Sequence, residues 1–279
     1  MLRTMITATN TLGQLQSQID TISSNIANSN TAGYKAKEAT FSELLYQQYN
    51  NDKLDSTVRN SPVGVRYGVG AYLGQIQTNY AQGSLQATNR DLDLAFTKES
   101  QYFNILMPDG VNGQRTVYSR QGDFYVSPTE NGQVMLVNGD GYAVADSDGN
   151  AINFPDNVSS FSLSEDGTLA VNYPDGDSLN FELGITELQK TQVMEQVSGT
   201  YLGLPSNMNE LGYNEADILV DLQGAARTDV GLTSGSLENS NVDLSTEMSS
   251  LINAQRNYQF SSRAISIADQ MLGLINGIR

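Results

Sequence analysis

The fold is decided by residues 242–278, which read VDLSTEMSSLINAQRNYQFSSRAISIADQMLGLINGI. Small and apolar residues recur there in alternating steps of three and four, which is typical of a helix that buries one side. Two such stripes run side by side. The first stripe is Leu251, Ala254, Tyr258, Ser261, Ile265, Ala268, Leu272 and Ile275, and the second stripe is Phe260, Ala264, Ile267, Met271, Leu274 and Ile278.

A matching pattern at the other end of the chain predicts a partner helix. Its repeating residues are Met5, Ala8, Leu12, Leu15, Ile19, Ile22 and Ile26. Arg3 and Asp20 are the only charged residues between Met1 and Ile26. Because helices in water usually carry charged pairs four residues apart, this polar face is also expected to pack. A hairpin of two helices inside one globule is the alternative. That hairpin accounts for the burial of the first stripe but provides no neighbour for the second stripe. The second stripe is therefore expected to pack against another copy or another protein.

The composition narrows the function classes. The chain of 279 residues contains no Cys, His or Trp, which excludes thiol chemistry, histidine catalysis and nearly every zinc site. Carboxylate, Lys or Tyr chemistry remains possible in principle, but no motif in the chain commits to it, so we expect no enzyme, cofactor or metal. The chain contains no run of eighteen apolar residues, so we expect no membrane-spanning helix. The first residues lack the pattern of a cleaved signal peptide, so we expect a cytoplasmic protein or one exported without such a signal.

The net charge of −16 is unevenly distributed. Residues 1–35 carry +1 and residues 240–279 carry zero, so the middle of the chain carries −17. This acidity argues against nucleic acid or an anionic membrane surface as partner. We expect neutral helical ends that pack and an acidic middle that faces water.

The segments after the first helix suggest a change of structure. The first helix is expected to end between Asn25 and Lys35, with Gly33 as a left-handed C-cap. The apolar spacing in Phe41–Tyr49 predicts two turns of helix. Val63, Val65, Tyr67 and Val69 alternate with Gly64, Arg66, Gly68 and Gly70, which predicts an extended glycine-rich arm.

The middle of the chain is predicted to be all β. Short apolar runs alternate with Asn-Gly and Asp-Gly pairs, the signal for hairpins. The runs are Leu92–Phe96, Phe103–Met107, Thr116–Ser119, Phe124–Val126, Val134–Val137, Tyr142–Val144, Phe161–Leu163, Thr168–Tyr173 and Leu179–Leu183. Residues 184–240 are expected to add one or two strands. The predicted class is α+β, with coiled-coil-like terminal helices and an inserted sandwich or open barrel. Its parts would be helical residues 1–34 and 240–279, a connecting segment of 35–80 and 215–239, and a β-rich outer domain of 81–214.

Motifs stand at both ends and in the middle of the chain. Near the first helix they are Asn25-Ile-Ala-Asn28 with Thr31 and Gly33-Tyr34-Lys35. In the middle they are Gln82-Gly83-Ser-Leu85 with Thr88, Arg90 and Leu92-Asp93-Leu-Ala95, and Tyr118-Ser-Arg120 with Gly122-Asp123-Phe124. Toward the C-terminus they are Gly235-Ser-Leu-Glu238, Ser240-Asn241-Val242-Asp-Leu244, Glu247-Met248, Ala254-Gln255-Arg256-Asn-Tyr258 and Ala268-Asp-Gln-Met-Leu272. Together they resemble the signatures of the flagellar axial family, the rod and hook proteins of the bacterial flagellum. The chain departs from the family at Lys98–Phe103, where members commonly carry a Gly-x-Gly-Phe-Phe type turn.

The resemblance implies a structural subunit of the flagellar basal body. In that family the terminal helices of stacked copies form a hollow inner tube that transmits torque. Export uses the flagellar type III apparatus, and the partners are other copies and other rod and hook proteins. The segment Glu43-Leu-Leu-Tyr-Gln47 and the modest length are most similar to rod proteins. A hook or hook–rod junction subunit is the alternative within the family.

Two weaker motifs have simpler interpretations. Asp146-Ser-Asp148-Gly-Asn150 begins like a calcium loop, but Ala151 and Asn157 stand where an EF-hand needs Gly and Glu, so a β-turn is favoured. Asp91 and Asp93 are expected to be structural or solvated rather than a glycosidase pair. The rival function from another class is a secreted adhesin or glycosidase built on the β domain.

Overall fold

The computed structural model shows an α+β protein with a helix near each end and a large antiparallel β domain between them in sequence. It describes residues 2–43, 47–49, 65–67, 71–109, 113–129, 132–205 and 207–277. The helices are α1 (Leu2–Ala27), α2 (Met208–Leu211), α3 (Glu215–Ile218) and α4 (Leu244–Gly277). The strands are β1 (Lys37–Glu43), β2 (Gln47–Tyr49), β3 (Val65–Tyr67), β4 (Ala71–Thr78), β5 (Leu85–Ala87), β6 (Leu94–Phe96), β7 (Gln101–Asp109), β8 (Gly113–Ser119), β9 (Phe124–Pro128), β10 (Gln133–Asn138), β11 (Ala143–Val144), β12 (Asn153–Pro155), β13 (Ser160–Leu163), β14 (Thr168–Asn172), β15 (Ser178–Glu182), β16 (Ile185–Leu188), β17 (Glu195–Ser198), β18 (Tyr201–Gly203), β19 (Leu219–Asp221), β20 (Leu232–Ser234) and β21 (Ser236–Glu238).

The chain forms two compact units. The helical unit comprises Met1–Ala27, Lys37–Asn79 and Val242–Arg279, and the β unit comprises Asn28–Ala36 and Tyr80–Asn241. In the helical unit, α1 packs against α4 and against the β1–β4 pair. Asn25 near the end of α1 donates to Glu247 in the first turn of α4, so the two helices run antiparallel.

The start of α4 has a well-formed N-cap. Asp243 Oδ1 accepts the N–H of Ser245 at 2.9 Å and of Thr246 at 3.3 Å. These bonds, with one from the Thr246 hydroxyl to Oδ2 at 3.0 Å, hold the pKa of Asp243 below its usual value. A capping carboxylate satisfies N–H groups that the first turn leaves without a helical acceptor. The predicted terminal helix is therefore confirmed with its start at Leu244.

The helix predicted for Phe41–Tyr49 is wrong. The chain forms strand β1 up to Glu43 and strand β2 from Gln47, and residues 44–46 lie outside the described residues. β1 pairs antiparallel with β4, from Lys37 opposite Thr78 to Glu43 opposite Ala71. This pairing with a distant segment outweighs the local apolar spacing. Of the predicted glycine-rich arm, the structure describes only Val65–Tyr67, which pairs with β2.

The nine strands predicted between Leu92 and Leu183 are all present in the β unit, with small differences in their bounds. The largest sheet runs in the order β12-β10-β11-β7-β8-β18-β17, with β9 also on β10 and β16 joining β7 to β19. Gly167 and Gly176 take positive φ in their Asp-Gly turns. In the turn predicted at Asn138-Gly139, it is Gly141 that has positive φ.

The expectation of one or two strands in residues 184–240 was too low. The region contains the short helices α2 and α3 and the strands β16 to β21. β20 pairs with β6, and β21 pairs with β5. These pairs bring the segment before α4 onto the strands that begin the β unit.

The core of the β unit is built around phenylalanine. Phe96, Phe103, Phe124 and Phe154 are fully buried. The ring of Phe103 contacts Phe96 at a centroid distance of 4.2 Å and meets Phe124 edge-on at 4.9 Å. A second cluster gathers Tyr102, Tyr118, Leu188, Met194, Leu202, Ile218 and Leu219. In the described part of the chain, no helix combines the length and apolarity needed to cross a bilayer.

Candidate functional site

The first stripe of α4 is the side that the protein itself covers. Ala254 and Ala268 are buried, and Leu251, Ser261, Ile265 and Leu272 are half-buried. The element that α4 packs against is α1, where Leu15 and Ile22 are buried and Met5, Leu12, Ile19 and Ile26 are half-buried. Tyr258 and Ile275 of the first stripe remain exposed. The apolar stripe of α1 and most of the first stripe of α4 are thus covered within one chain.

The second stripe of α4 is exposed along its whole described length. Phe260 is 76% exposed, Ile267 55% and Leu274 70%, and Ala264 and Met271 are also exposed. Ile278 lies outside the described residues. A monomeric protein rarely exposes a continuous apolar patch of this kind unless it is a binding surface. We call these residues the outer face of α4.

The outer face extends further toward the start of α4 than the sequence pattern indicated. Met248 is 52% exposed and Ile252 is 50% exposed. Met248, Ile252, Arg256 and Phe260 are spaced four residues apart. Because one turn of an α-helix takes 3.6 residues, each member of this series lies slightly further around the helix than the one before. This spacing could have revealed them, but Arg256 interrupts the apolar series. Over 34 residues the helix is about 50 Å long, so the face is long and narrow.

The motif residues of the helical unit form a polar clamp. Asn25 is buried, and its Nδ2 donates to the Lys37 carbonyl and to Glu247 Oε1, each at 2.8 Å. Its Oδ1 accepts the Lys37 N–H at 2.9 Å. One side chain therefore joins α1, β1 and α4. Gln255 and Arg256 lie exposed on α4.

The motifs of the β unit meet at a buried glutamate. Glu238 Oε1 accepts from Lys35 Nζ at 2.7 Å and from the Gly83 N–H at 2.9 Å, and Oε2 accepts from Arg120 Nε at 2.7 Å. Burial lowers the pKa of Lys35, while Glu238 opposes that shift. We call Lys35, Arg120 and Glu238 the buried charge cluster. It holds the segment that follows α1 against the segment that precedes α4.

Arg120 also organises the turn at residues 98–103, which contains no glycine. Its Nη1 donates to the carbonyls of Lys98, Glu99 and Gln101 at 3.0, 2.6 and 3.1 Å. The guanidinium lies over the rings of Phe96 and Tyr102 at 5.6 and 5.5 Å. The turn that leads into β7 thus receives its hydrogen bonds from a buried arginine.

Gly33 has the predicted left-handed conformation but another role. Its φ is +70°, yet α1 ends six residues earlier, at Ala27, so Gly33 is not its C-cap. Its N–H donates to the Glu238 carbonyl at 2.8 Å. A Cβ at this position would lie 2.6 Å from the Arg120 carbonyl carbon. Glycine is required here because two backbones approach closely.

The other motif residues also hold chain segments together. Asn241 Oδ1 accepts the Ala36 N–H at 2.7 Å, and its Nδ2 donates to the Ala81 carbonyl at 3.0 Å. Gln82 Nε2 donates to the Phe96 carbonyl at 2.6 Å. Thr31 donates to Asn28 in the turn after α1, and Gly83 and Gly122 pack closely on Asn239 and Leu94. Tyr34 is fully buried and Val242 is half-buried.

Acidic motif residues form a second polar group beside β9. Arg90 Nη1 lies 3.0 Å from Asp93 Oδ1, and Arg90 Nη2 donates to the Phe124 carbonyl. Burial raises the pKa of Asp123, which bridges to Asp93 through the backbone. Asp91 is exposed. Asp93 and Asp123 serve structural contacts, whereas Asp91 faces solvent. These are the two roles that the sequence suggested for Asp91 and Asp93.

The possible calcium loop is a β-turn. Asp146 Oδ1 accepts the N–H of Asp148 at 2.9 Å and of Asn150 at 2.7 Å, and Gly149 takes a φ of +82°. Among the described residues, no three acidic side chains gather in a way that could hold a metal ion. Within the described ranges, the notable surface is the apolar outer face of α4, and an exposed apolar face of this kind is typical of a surface that binds another protein.

Comparison with known proteins gives the family. The C-terminal region of flagellar basal body rod FlgEFG proteins matches residues 233–278, the D1 domain of the flagellar hook protein FlgE/F/G matches 97–171, and the flagella basal body rod protein matches 5–35. The chain belongs to the flagellar basal-body rod and hook protein family, as its motifs predicted. Proteins of the basal-body rod family are structural and localise to the flagellar basal body.

Relatives match along the whole chain. The flagellar hook-basal body complex protein FlhP of Bacillus subtilis is 43% identical, with 100% of each chain covered. The flagellar basal-body rod protein FlgG of the same organism is 30% identical, with 98% of this chain and 97% of the relative covered. FlgG of Borreliella burgdorferi is 30% identical, with 100% and 99% covered.

Proposed function

We propose that the protein is a structural subunit of the flagellar rod that assembles helically with other copies and with other rod and hook proteins. The observation that carries the proposal is the exposed second stripe of α4. The full-length likeness to proteins named FlgG supports a position in the rod rather than in the hook.

The assembly depends on contacts between unlike surfaces. The outer face of α4 cannot be covered by α1 of its own chain, because α1 already occupies the first stripe. A contact between two different surfaces of identical subunits repeats without closing and produces an open helical filament. Stacked terminal helices, paired as in a coiled coil, would form the inner tube of a hollow shaft that transmits torque.

Energetic considerations support assembly-dependent ordering of the helices. Burial of one Leu, Ile or Phe side chain contributes about 1.5–3 kcal/mol. Fixing the backbone of one residue costs about 1–2 kcal/mol. α4 packs against one helix and leaves its largest apolar side chains in water. Neighbours that cover the outer face would therefore supply a large share of its stability.

This arrangement gives each part of the chain a separate role in the assembly. Residues 1–34 and 240–279 would line the inner tube, and 81–214 would form the outer β domain. Residues 35–80 and 215–239 would connect them. The acidic middle would face water, and export would use the flagellar type III apparatus.

Localisation in isolated basal bodies tests the function. We expect an epitope-tagged chain, labelled with gold and viewed by electron microscopy, to appear on the rod, with the tag placed in the exposed turn at Gly176. A tagged flagellin in the same cells is the control, because it should label the filament alone. Label on the filament, or none on basal bodies that otherwise assemble, would contradict the proposal.

A further inference from the structure

The exposed side of α1 differs in chemistry from the outer face of α4. Along α1, Ile6, Gly13, Gln16 and Asp20 are exposed and recur in steps of three, four and seven, so they share one side of the helix. Thr9 lies on the same side and is also exposed. All of these residues except Asp20 are uncharged. We call them the outer face of α1.

The charges on the two outer faces are opposite. Asp20 is the only acidic residue in α1. Arg256 and Arg263 are exposed on α4 and lie four residues before and three residues after Phe260, so both lie along the same edge of the second stripe. Asp269 is nine residues from Phe260, on the opposite side of the helix. Among the described residues, Asp20, Arg256 and Arg263 form no ion pair within 4 Å.

The shapes of the two faces are complementary as well. Phe260, Ile267 and Leu274 are large, whereas Thr9 is smaller and Gly13 has no side chain, so a neighbouring helix can approach α1 closely. Contact between two α4 outer faces would instead place large side chains against large ones. In copies that point the same way along a filament it would also place the arginines of one α4 near those of the next. Like charges held together at an interface oppose association.

We propose that the outer face of α4 in one copy docks on the outer face of α1 in the next copy, with Arg263 beside Asp20. This inference rests on the proposed function and specifies its contact. α1 and α4 run antiparallel within the chain, and helices aligned with a filament axis keep that relation between copies. Because both helices rise about 1.5 Å per residue, this register places Ile267 opposite Gln16 and Leu274 opposite Thr9.

Disulfide cross-linking tests the contact directly, since the natural chain contains no Cys. One full-length variant carries Gln16→Cys and a second carries Ile267→Cys, and the two are mixed and oxidised under assembly conditions. A disulfide requires Cα atoms within about 7 Å, so only facing positions react efficiently. We expect the mixed dimer to exceed either homodimer by roughly tenfold, because the faces meet heterologously.

The other outcomes separate the inference from the proposed function. A dominant Ile267→Cys homodimer would show contact between two α4 faces, which overturns the inference and keeps the proposed function. Absence of cross-links in variants that assemble normally would also overturn the inference. As a second measurement, Arg263→Asp should raise the concentration needed for assembly by at least about fivefold, which is about 1 kcal/mol, and Asp20→Arg should restore part of the loss. Failure of the wild-type protein to assemble at all would instead contradict the proposed function.

Discussion

We expect Leu274→Asp to abolish assembly while the β unit remains folded. Leu274 is 70% exposed in the single chain, so aspartate costs the monomer little. In an assembly the same position would be buried, and the substitution would lose about 1.5–3 kcal/mol of apolar burial and bury a charge. A total loss above about 3 kcal/mol raises the concentration needed for assembly more than about a hundredfold. Ile267→Asp should behave in the same way.

Sedimentation velocity measures the assembly, and the circular dichroism of buried tyrosines such as Tyr102 reports on the fold of the β unit. Ser262→Asp is the matched control, because Ser262 is exposed on α4 and lies outside both stripes. It should assemble like the wild type. If Leu274→Asp and Ile267→Asp also assemble normally, the second stripe has no role in assembly.

The second large effect concerns the buried charge cluster. We expect Glu238→Ala to destabilise the β unit by about 3–5 kcal/mol, because it leaves Lys35 and Arg120 as unpaired cations in a buried site. Both cations are less than 10% exposed. The loss should lower the midpoint of thermal unfolding by roughly 10 °C. Thermal unfolding followed by near-ultraviolet circular dichroism provides the measurement.

The control for this effect is a carboxylate with an exposed side chain. Glu182 lies 3.7 Å from Arg227, and its side chain is 52% exposed. Because water reaches this carboxylate, and buried Arg227 also donates to the Leu183 and Gly167 carbonyls, Glu182→Gln should shift the midpoint only slightly. Equal effects of the two substitutions would show that Glu238 has no special role in the β unit.

The helices could be predicted because their evidence is local. Residues three and four apart on one helix are neighbours whatever the rest of the chain does, so the stripes of α1 and α4 appear directly in the sequence. The hairpins of the β unit were predictable for a similar reason, since Asp166-Gly167 and Asp175-Gly176 mark their own turns. Periodicity also separated the covered stripe of α4 from the exposed one.

The misassigned segments depend on distant partners. Phe41 is a strand residue because it pairs with Leu73, and the spacing of apolar residues around Phe41 contains no information about that partner. Of the strands after residue 184, β16, β20 and β21 likewise pair with β7, β6 and β5, which lie far earlier in the chain. Their short runs carry little pattern of their own.

The buried charge cluster could not be predicted from spacing either. Lys35, Arg120 and Glu238 lie in three segments separated by more than eighty residues each. Each residue stands in one of the motifs that resemble the family signatures, yet the motifs gave no sign that these charges meet. Once the strands β8 and β21 and the turn after α1 are placed, the pairing follows from the need to neutralise buried charge.

Hydrogen exchange at the amides of the two terminal helices shows whether neighbouring subunits complete the burial of these helices. We expect residues 5–26 and α4 to exchange rapidly in dilute monomer and to become strongly protected after assembly, while strands such as β7 are protected in both states. Strong protection of residues 5–26 and α4 in dilute monomer, unchanged by assembly, would contradict the claim that neighbouring subunits complete the burial of these helices.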